Sequence, residues 1–127
     1  MLHFSLVSPE RELASREVEY VVLPGAEGDM SVYENHAPVM TTLRPGILEV
    51  AGGERYVVFG GFADVNPSGL TVLAEQALAI DAVDQNTLDT MIAETETRLT
   101  DAPNDDARFL AEERLGDLRQ LKVQLTS

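Results

Sequence analysis

The hydrophobic pattern of this chain changes period once, near residue 84, and that change limits what it can fold into. Before it, short β-type runs cover Leu2 to Val7, Val18 to Leu23, Val39 to Leu43, Ile47 to Ala51, Tyr56 to Phe59 and Leu70 to Ala74. Leu2, Phe4 and Leu6 fall on one face of their run, as do Leu70, Val72 and Ala74 on theirs, the period-2 signature of a half-buried strand. Turn signals separate the runs: Pro24-Gly25, Pro45-Gly46, Gly52-Gly53, Gly60-Gly61 and Asn66-Pro67-Ser68-Gly69. Gly52-Gly53 and Pro67-Ser68-Gly69 have the chemistry of hairpin turns. Many short strands with glycine turns predict an all-β sandwich or barrel.

Beyond residue 84 the spacing becomes helical. Asp81 and Asp84 are placed to cap a helix carrying Leu88, Met91, Ile92, Thr95 and Leu99. Asp101-Ala102-Pro103-Asn104-Asp105 is a turn with a new cap, and a second helix follows with Ala107, Leu110, Ala111, Leu118, Leu121 and Leu125 on one stripe. Two amphipathic helices joined by a short turn make an antiparallel hairpin. The expected organisation is therefore a β-sandwich over residues 1–84 and a helical hairpin over residues 85–127.

Within the β half, Val18 to Pro38 has the most specified path. Val18, Tyr20 and Val22 share a strand face, Pro24-Gly25 breaks the strand, and Gly28, Met30-Ser31-Val32-Tyr33 and His36-Ala37-Pro38 follow. Proline fixes φ and glycine permits positive φ, so this stretch is read as a shaped surface loop holding Glu27, Asp29, Glu34 and His36. Such a loop suits a catalytic site or a docking edge.

Composition narrows that choice. The chain of 127 residues has no cysteine, so neither a disulfide framework nor a thiolate metal site is available. Two histidines, His3 and His36, exclude a His-rich metal site of the cupin type. No apolar run approaches the ~18 residues of a membrane helix, and no basic leader precedes the first strand, so the chain reads as cytosolic in a bacterium or bound to a cytosolic face. The formal charge of −13 argues against nucleic acid and anionic membranes, leaving a basic or apolar partner surface. Residues 1–84 hold 13 acidic and 4 basic side chains, a net of −9, and residues 85–127 hold 9 and 5, a net of −4.

Catalysis has little to work with. Glu27, Asp29 and Glu34 beside His36 could form an acid–base pair, and glycosidases use two carboxylates. A sugar cleft, however, needs aromatic platforms, and the chain has no tryptophan, three tyrosines and four phenylalanines. No Ser/His/Asp or P-loop signature is present. Gly60-Gly61-Phe62 lies between strands with no helix after it, which favours close strand packing over a phosphate loop. His36 is expected either to bond a nearby backbone group or to contact a partner; Glu27 and Asp29 either stabilise a turn or dock.

Five stretches in order carry a resemblance: Val22-Leu23-Pro24-Gly25-Ala26-Glu27-Gly28-Asp29-Met30, His36-Ala37-Pro38, Leu43-Arg44-Pro45-Gly46, Gly60-Gly61-Phe62-Ala63-Asp64-Val65 and Thr71-Val72-Leu73-Ala74-Glu75. Over nearly its full length the sequence resembles the bacterial ε subunit of F-type ATP synthase. The resemblance implies a non-catalytic rotor subunit at the foot of the central stalk, joining the γ subunit to the c ring and transmitting the torque of proton flow. It places the protein peripherally on the cytoplasmic face of the bacterial plasma membrane. The c-ring-facing loop of the family matches Glu27, Gly28, Asp29, Met30 and Ser31, with Glu34 and His36 beside it. Glu34-Asn35 stands where many relatives have Pro-Gly. In the family the helical hairpin is regulatory, extending along γ toward the β subunits as a brake or folding down on ATP. The ATP motif resembles Ile-Asp-x-x-Arg-Ala; here Ile80-Asp81-Ala82-Val83-Asp84-Gln85 puts Asp84 in the arginine's place. No nucleotide site and no cofactor are expected, and the mixed charge of the second helix implies weak or absent inhibition. The alternative is a stand-alone β-sandwich binding module whose hairpin dimerises.

Overall fold

The computed structural model describes residues 1–126. Ten strands come first: β1 (Leu2–Val7), β2 (Glu12–Val18), β3 (Tyr20–Gly25), β4 (Gly28–Tyr33), β5 (Val39–Thr42), β6 (Gly46–Val50), β7 (Arg55–Val58), β8 (Gly61–Asn66), β9 (Gly69–Ala74) and β10 (Ala77–Ala79). A 3-10 turn at Ile80–Ala82 leads to α1 (Gln85–Thr100) and α2 (Asp105–Thr126). The fold class is thus a β-sandwich followed by two helices, as the sequence pattern indicates. The chain divides into two compact units, one ending at Asp81 and the other beginning at Ala82.

The strands form two five-stranded sheets, ordered β2-β1-β9-β8-β5 and β10-β7-β6-β3-β4. Every pairing is antiparallel except β1 with β9. Phe4 and Leu6 lie opposite Leu70 and Val72 in that parallel register, and all four side chains are buried. Leu23, Val32, Leu48 and Val50 meet them from the second sheet in one apolar cluster built from residues between Leu2 and Ala77. Full burial of a side chain such as Phe4 contributes about 1.5–3 kcal/mol, so the alternation seen in the sequence is what closes the sandwich.

The strands differ from the sequence reading in three respects. First, the run Val18 to Leu23 is not one strand: Val18 pairs with Leu2 in one sheet, while Val21 pairs with Val50 in the other. The chain crosses between sheets at Glu19, which shifts the phase by one residue. Val21 and Leu23 are therefore buried beside Val18, while Tyr20 and Val22 are half-buried. Second, Glu12–Val18 and Gly61–Asn66 are strands without a strong apolar run: the outer strand β2 carries Glu12 and Arg16 in phase with buried Ala14 and Val18, and β8 sets Asp64 and Asn66 on the wet face of its sheet. Third, the stretch read as a surface loop after Gly25 is mostly strand β4.

Gly61 explains the Gly-Gly pair. Its φ is +118°, and a Cβ there would lie 2.1 Å from the Leu73 carbonyl oxygen. Gly61 stands opposite Ala74 in the β8–β9 ladder, so the absent side chain lets two backbones approach.

In the second unit Asp84 caps α1 by accepting a 2.7 Å bond from the Thr87 N–H, and Asn104 Oδ1 does the same for α2 at the Ala107 N–H, 2.8 Å. Asp81, the other expected cap, lies in the 3-10 turn. The helices run antiparallel, since Lys122 Nζ near the end of α2 reaches Asp89 Oδ1 near the start of α1 at 2.6 Å. Leu88 and Thr95 are buried on α1, with the Thr95 hydroxyl donating to the Met91 carbonyl at 2.8 Å. On α2 the buried stripe is Ala111, Leu115, Leu118 and Leu121. Leu110, assigned to that stripe from sequence, is 66% exposed, one position off the row that Leu115 continues.

Candidate functional site

The segment singled out in the sequence is a two-residue hairpin at the edge of the second sheet. Gly25 faces Gly28 across the turn Ala26-Glu27, and among the described residues β4 has a strand neighbour only on its β3 side. Alternation along β4 then sorts its side chains. Met30 and Val32 lie opposite Leu23 and Val21 and turn inward; Val32 is buried and Met30 packs partly buried on the core. Asp29, Ser31 and Tyr33 take the opposite face, across from Pro24, Val22 and Tyr20, and all three are exposed. Tyr33 leans on Tyr20 with ring centroids 5.6 Å apart. Glu27 sits at the hairpin tip and is exposed.

Glu34 and His36 lie at the other end of the strand. The Tyr33–His36 turn is closed by a 3.2 Å bond from the His36 N–H to the Tyr33 carbonyl. Asn35 occupies its third position with φ +65°, a conformation asparagine tolerates better than most side chains. Glu34 Oε2 accepts from the Met1 ammonium at 2.8 Å, and that contact raises the ammonium's pKa. His36 Nδ1 lies 2.8 Å from the Ala37 carbonyl oxygen; a carbonyl only accepts, so Nδ1 carries the proton. One of the two expectations for His36, a bond to nearby backbone, therefore holds.

The five steps from Gly28 to Tyr33, at ~3.3 Å each, put about 17 Å between the Glu27 end and the His36 end. That exceeds the reach of a hydrogen-bonded acid–base pair, so the residues read as one loop are two separate groups at the ends of one strand. Among the described residues no three His, Cys, Asp or Glu side chains are grouped to hold a metal ion, and no helix is long and apolar enough to cross a membrane.

A second element borders the hairpin. β5 is the outer strand of the other sheet, and the two are laced together. The Ala26 N–H donates to Thr41 Oγ1 at 3.3 Å, the Arg44 N–H donates to the Pro24 carbonyl at 3.0 Å, and Gly25 bridges to Leu43. Between them runs an open groove of about 510 Å³ lined by residues 25–30 and 39–42. Met40 is 65% exposed on it and Val39 37%. Sequence reading missed the outward Tyr33 and the exposed Met40. Alternation from Asp29 would have found Tyr33; nothing local marks Met40, because a strand at a sheet edge exposes residues by position.

At the degenerate motif, Ile80 and Asp81 lie in the 3-10 turn and Asp84 is the α1 cap. Bonds from the Thr87 N–H and then the Thr87 hydroxyl hold the Asp84 carboxyl below the usual carboxylate range. An anionic group thus stands at the start of α1.

Residues 1–80 match the family described as ATP synthase, Delta/Epsilon chain, beta-sandwich domain. The ATP synthase epsilon chain of Mesorhizobium japonicum is 53% identical over 123 residues, covering 94% of this chain and 91% of that protein. The epsilon chain of Parvibaculum lavamentivorans is 51% identical over 125 residues, covering 95% of each. Among solved structures, a chain of the Euglena gracilis mitochondrial ATP synthase OSCP/F1/c-ring assembly superposes with a TM-score of 0.73 at 28% identity, over 98% of this chain and 81% of that one. A chain of the Tetrahymena thermophila mitochondrial ATP synthase central stalk/c-ring shares the fold with a TM-score of 0.75 at 15% identity, over 99% and 96%. An epsilon chain is a subunit of the synthase complex and not itself a catalytic one. By its sandwich, its two helices and its close bacterial relatives, the chain belongs to the delta/epsilon family of ATP synthase subunits, as an epsilon chain.

Proposed function

We propose that this chain is a rotor subunit of the central stalk in a proton-translocating ATP synthase, linking γ to the c ring and coupling proton flow to ATP synthesis. In this reading it lies peripherally on the cytoplasmic face of the bacterial plasma membrane and is held there through the complex. The observation that carries the reading is the β3–β4 edge hairpin, whose tip Glu27 and outward row Asp29, Ser31 and Tyr33 are exposed on a ladder of fixed register. A part that transmits torque must not yield under load, and a backbone-paired hairpin laced to β5 is stiffer than a free loop. Carboxylates at its tip complement the basic groups expected on c-ring polar loops. The Glu34-Asn35 departure preserves the turn, because Asn35 takes the positive φ that glycine takes in Pro-Gly.

The hairpin of α1 and α2 is, in this reading, neither an ATP sensor nor a strong brake. Asp84 offers a polyphosphate a like charge in place of a bidentate arginine. On α2 the basic side chains are partly spent across the hairpin, Arg119 on Glu96 at 3.7 Å and Lys122 on Asp89 at 2.6 Å, which leaves less for an acidic surface on the β subunits.

The test is Glu27→Lys with Asp29→Lys. Exposed substitutions of this kind change folding stability by about 0.5 kcal/mol or less, whereas reversed charge at an interface is repulsive. The double variant should fold normally, dissociate from membranes more readily and lower proton-driven ATP synthesis. Unchanged retention and coupling would refute the docking role; a chain recovered alone as a dimer would favour the stand-alone module.

A further inference from the structure

The turn end of the α1–α2 hairpin holds a cavity of about 490 Å³, between the last turns of α1, the turn after it and the first half of α2. Its apolar wall is drawn from Ala102, Pro103, Ala107, Leu110 and Ala111. Leu110, the side chain that stands off the buried stripe, is 66% exposed there. The two hydroxyls at the cavity are committed to their own helix: Thr95 donates to the Met91 carbonyl at 2.8 Å and Thr97 to the Ala93 carbonyl at 3.1 Å. That leaves the guanidinium groups of Arg98 and Arg114 as the side-chain donors lining it. In a chain with 22 acidic side chains to 9 basic ones, a cation readily finds a carboxylate, and elsewhere on the hairpin Arg119 and Lys122 do so, on Glu96 and Asp89. Among the described residues neither Arg98 nor Arg114 forms an ion pair, although Asp101 lines the same cavity. The Arg114 Nε, shielded from solvent, also has no hydrogen-bond acceptor. Buried donors are nearly always satisfied, so a bare one calls for an acceptor that the fold does not supply.

We infer that this cavity binds a small amphiphilic anion, a single carboxylate on a short apolar body. An apolar cavity of about 300–1,000 Å³ with a few convergent polar groups is the usual form of a small-molecule site. The carboxylate lies against Arg98 and Arg114, whose planar forks hold such a group in paired bonds; a small rotation of Arg114 into the cavity brings its Nε edge to the ligand. The apolar body covers Leu110 and Pro103. One charge is favoured over several, because Asp101 and the chain's net charge of −13 repel each further negative charge. Both helices contribute to the site, so an occupant pins them together at the turn. The cavity lies at the opposite end of α1 from Asp84, and the inference does not rest on the rotor reading.

The experiment titrates the full chain, labelled with nitrogen-15, with sodium octanoate and follows its amide resonances. Shifts should centre on residues 95–114 and saturate at one ligand per chain. Butanoate, four methylenes shorter, should bind at least about tenfold more weakly, and so should 1-octanol, which lacks the charge. Arg98→Gln with Arg114→Gln should raise the octanoate Kd about tenfold or more, Leu110→Gln should raise it several-fold, and Asp101→Asn should lower it. Urea midpoints check that the variants fold; Arg98 is exposed, so Arg98→Gln alone, expected to weaken binding several-fold, decides the matter if the half-buried Arg114 does not tolerate change. No shift at these residues at millimolar octanoate, or equal Kd values for the parent and the arginine variants, would overturn the inference. Three other results would overturn it by putting a different occupant in the cavity. Inorganic phosphate or ATP displacing octanoate at lower concentration would make the ligand a polyanion. The same displacement by acetyl-Glu-Leu-amide would make the cavity a protein-docking site. Shifts at these residues on raising the chain concentration alone would place a second copy there.

Discussion

Replacing Gly61 with alanine separates a packing role for the Gly-Gly pair from a ligand-binding one. Two costs arise. The backbone at φ +118° is one that side chains rarely adopt, a strain of about 1–3 kcal/mol. The new Cβ would also lie 2.1 Å from the Leu73 carbonyl oxygen and 2.8 Å from the Ala74 Cα, and forcing atoms into filled space costs about 1–3 kcal/mol more. Neither neighbour is the end of a flexible side chain. Both belong to β9, which is also paired on its other side with β1, so relief requires opening the ladder. The sum, about 2–6 kcal/mol, is a large part of the roughly 5–15 kcal/mol that holds a domain folded. Gly52→Ala is the control: its φ is +102°, but no atom lies within 4 Å of the built Cβ, so it carries strain without overlap. In urea titrations followed by far-UV circular dichroism, Gly61→Ala should lower the midpoint clearly more than Gly52→Ala. With a slope of about 1–3 kcal/mol per molar, the overlap accounts for a difference of about 1 M. Equal midpoints for the two variants would refute close strand packing as the reason for Gly61.

Four further outcomes are expected. A chain ending near Asp84 should fold cooperatively and still assemble, because the apolar cluster of the sandwich is drawn from residues 2 to 77; an insoluble or assembly-incompetent fragment would contradict this. Calorimetric titration of the full chain with ATP should show no micromolar binding, and removing residues 85–127 from the soluble complex should leave ATP hydrolysis within a few-fold of its starting rate. Glu54 is held below its ordinary value of 4.5 by the Tyr56 hydroxyl, 3.0 Å away, and then by Arg16, 2.9 Å away. A carboxyl with a lowered folded-state pKa stabilises above 4.5 and loses that contribution as pH falls through the folded value. Because the Glu54 side chain is itself well exposed, the effect is below ~1 kcal/mol, and Glu54→Gln should flatten the acid limb of the stability curve by that amount.

Much of this architecture is legible in the residues, and the failures have physical causes. Phe4, Leu6, Leu70 and Val72 reveal their strands because each alternates between a dry face and a wet one. Glu12–Val18 hides because Glu12 and Arg16 stand in phase with Ala14 and Val18, the two buried positions, and so break the apolar alternation. The crossing at Glu19 is invisible to periodicity, since the one-residue slip comes from leaving one sheet for the other. Gly28–Tyr33 was masked by its own turn signals: prolines and glycines at both ends suggested a loop, while Met30 and Val32 had the alternation of a strand. The acids at the hairpin tip could be found from sequence, but Met40 could not, because its exposure depends on where β5 falls in the sheet order.

The central claim is that the β3–β4 tip sits on the c ring and turns with it. The chain has no cysteine, so Asp29→Cys places a single thiol on the exposed row. Labelled with a short photoreactive maleimide and rebound to the stripped synthase in membranes, it should cross-link to a c subunit on illumination. Proton-driven ATP synthesis should then continue, because a bond between two parts that rotate together does not stop them. An adduct lacking the c subunit, or a c-subunit adduct that halts synthesis, would contradict the account.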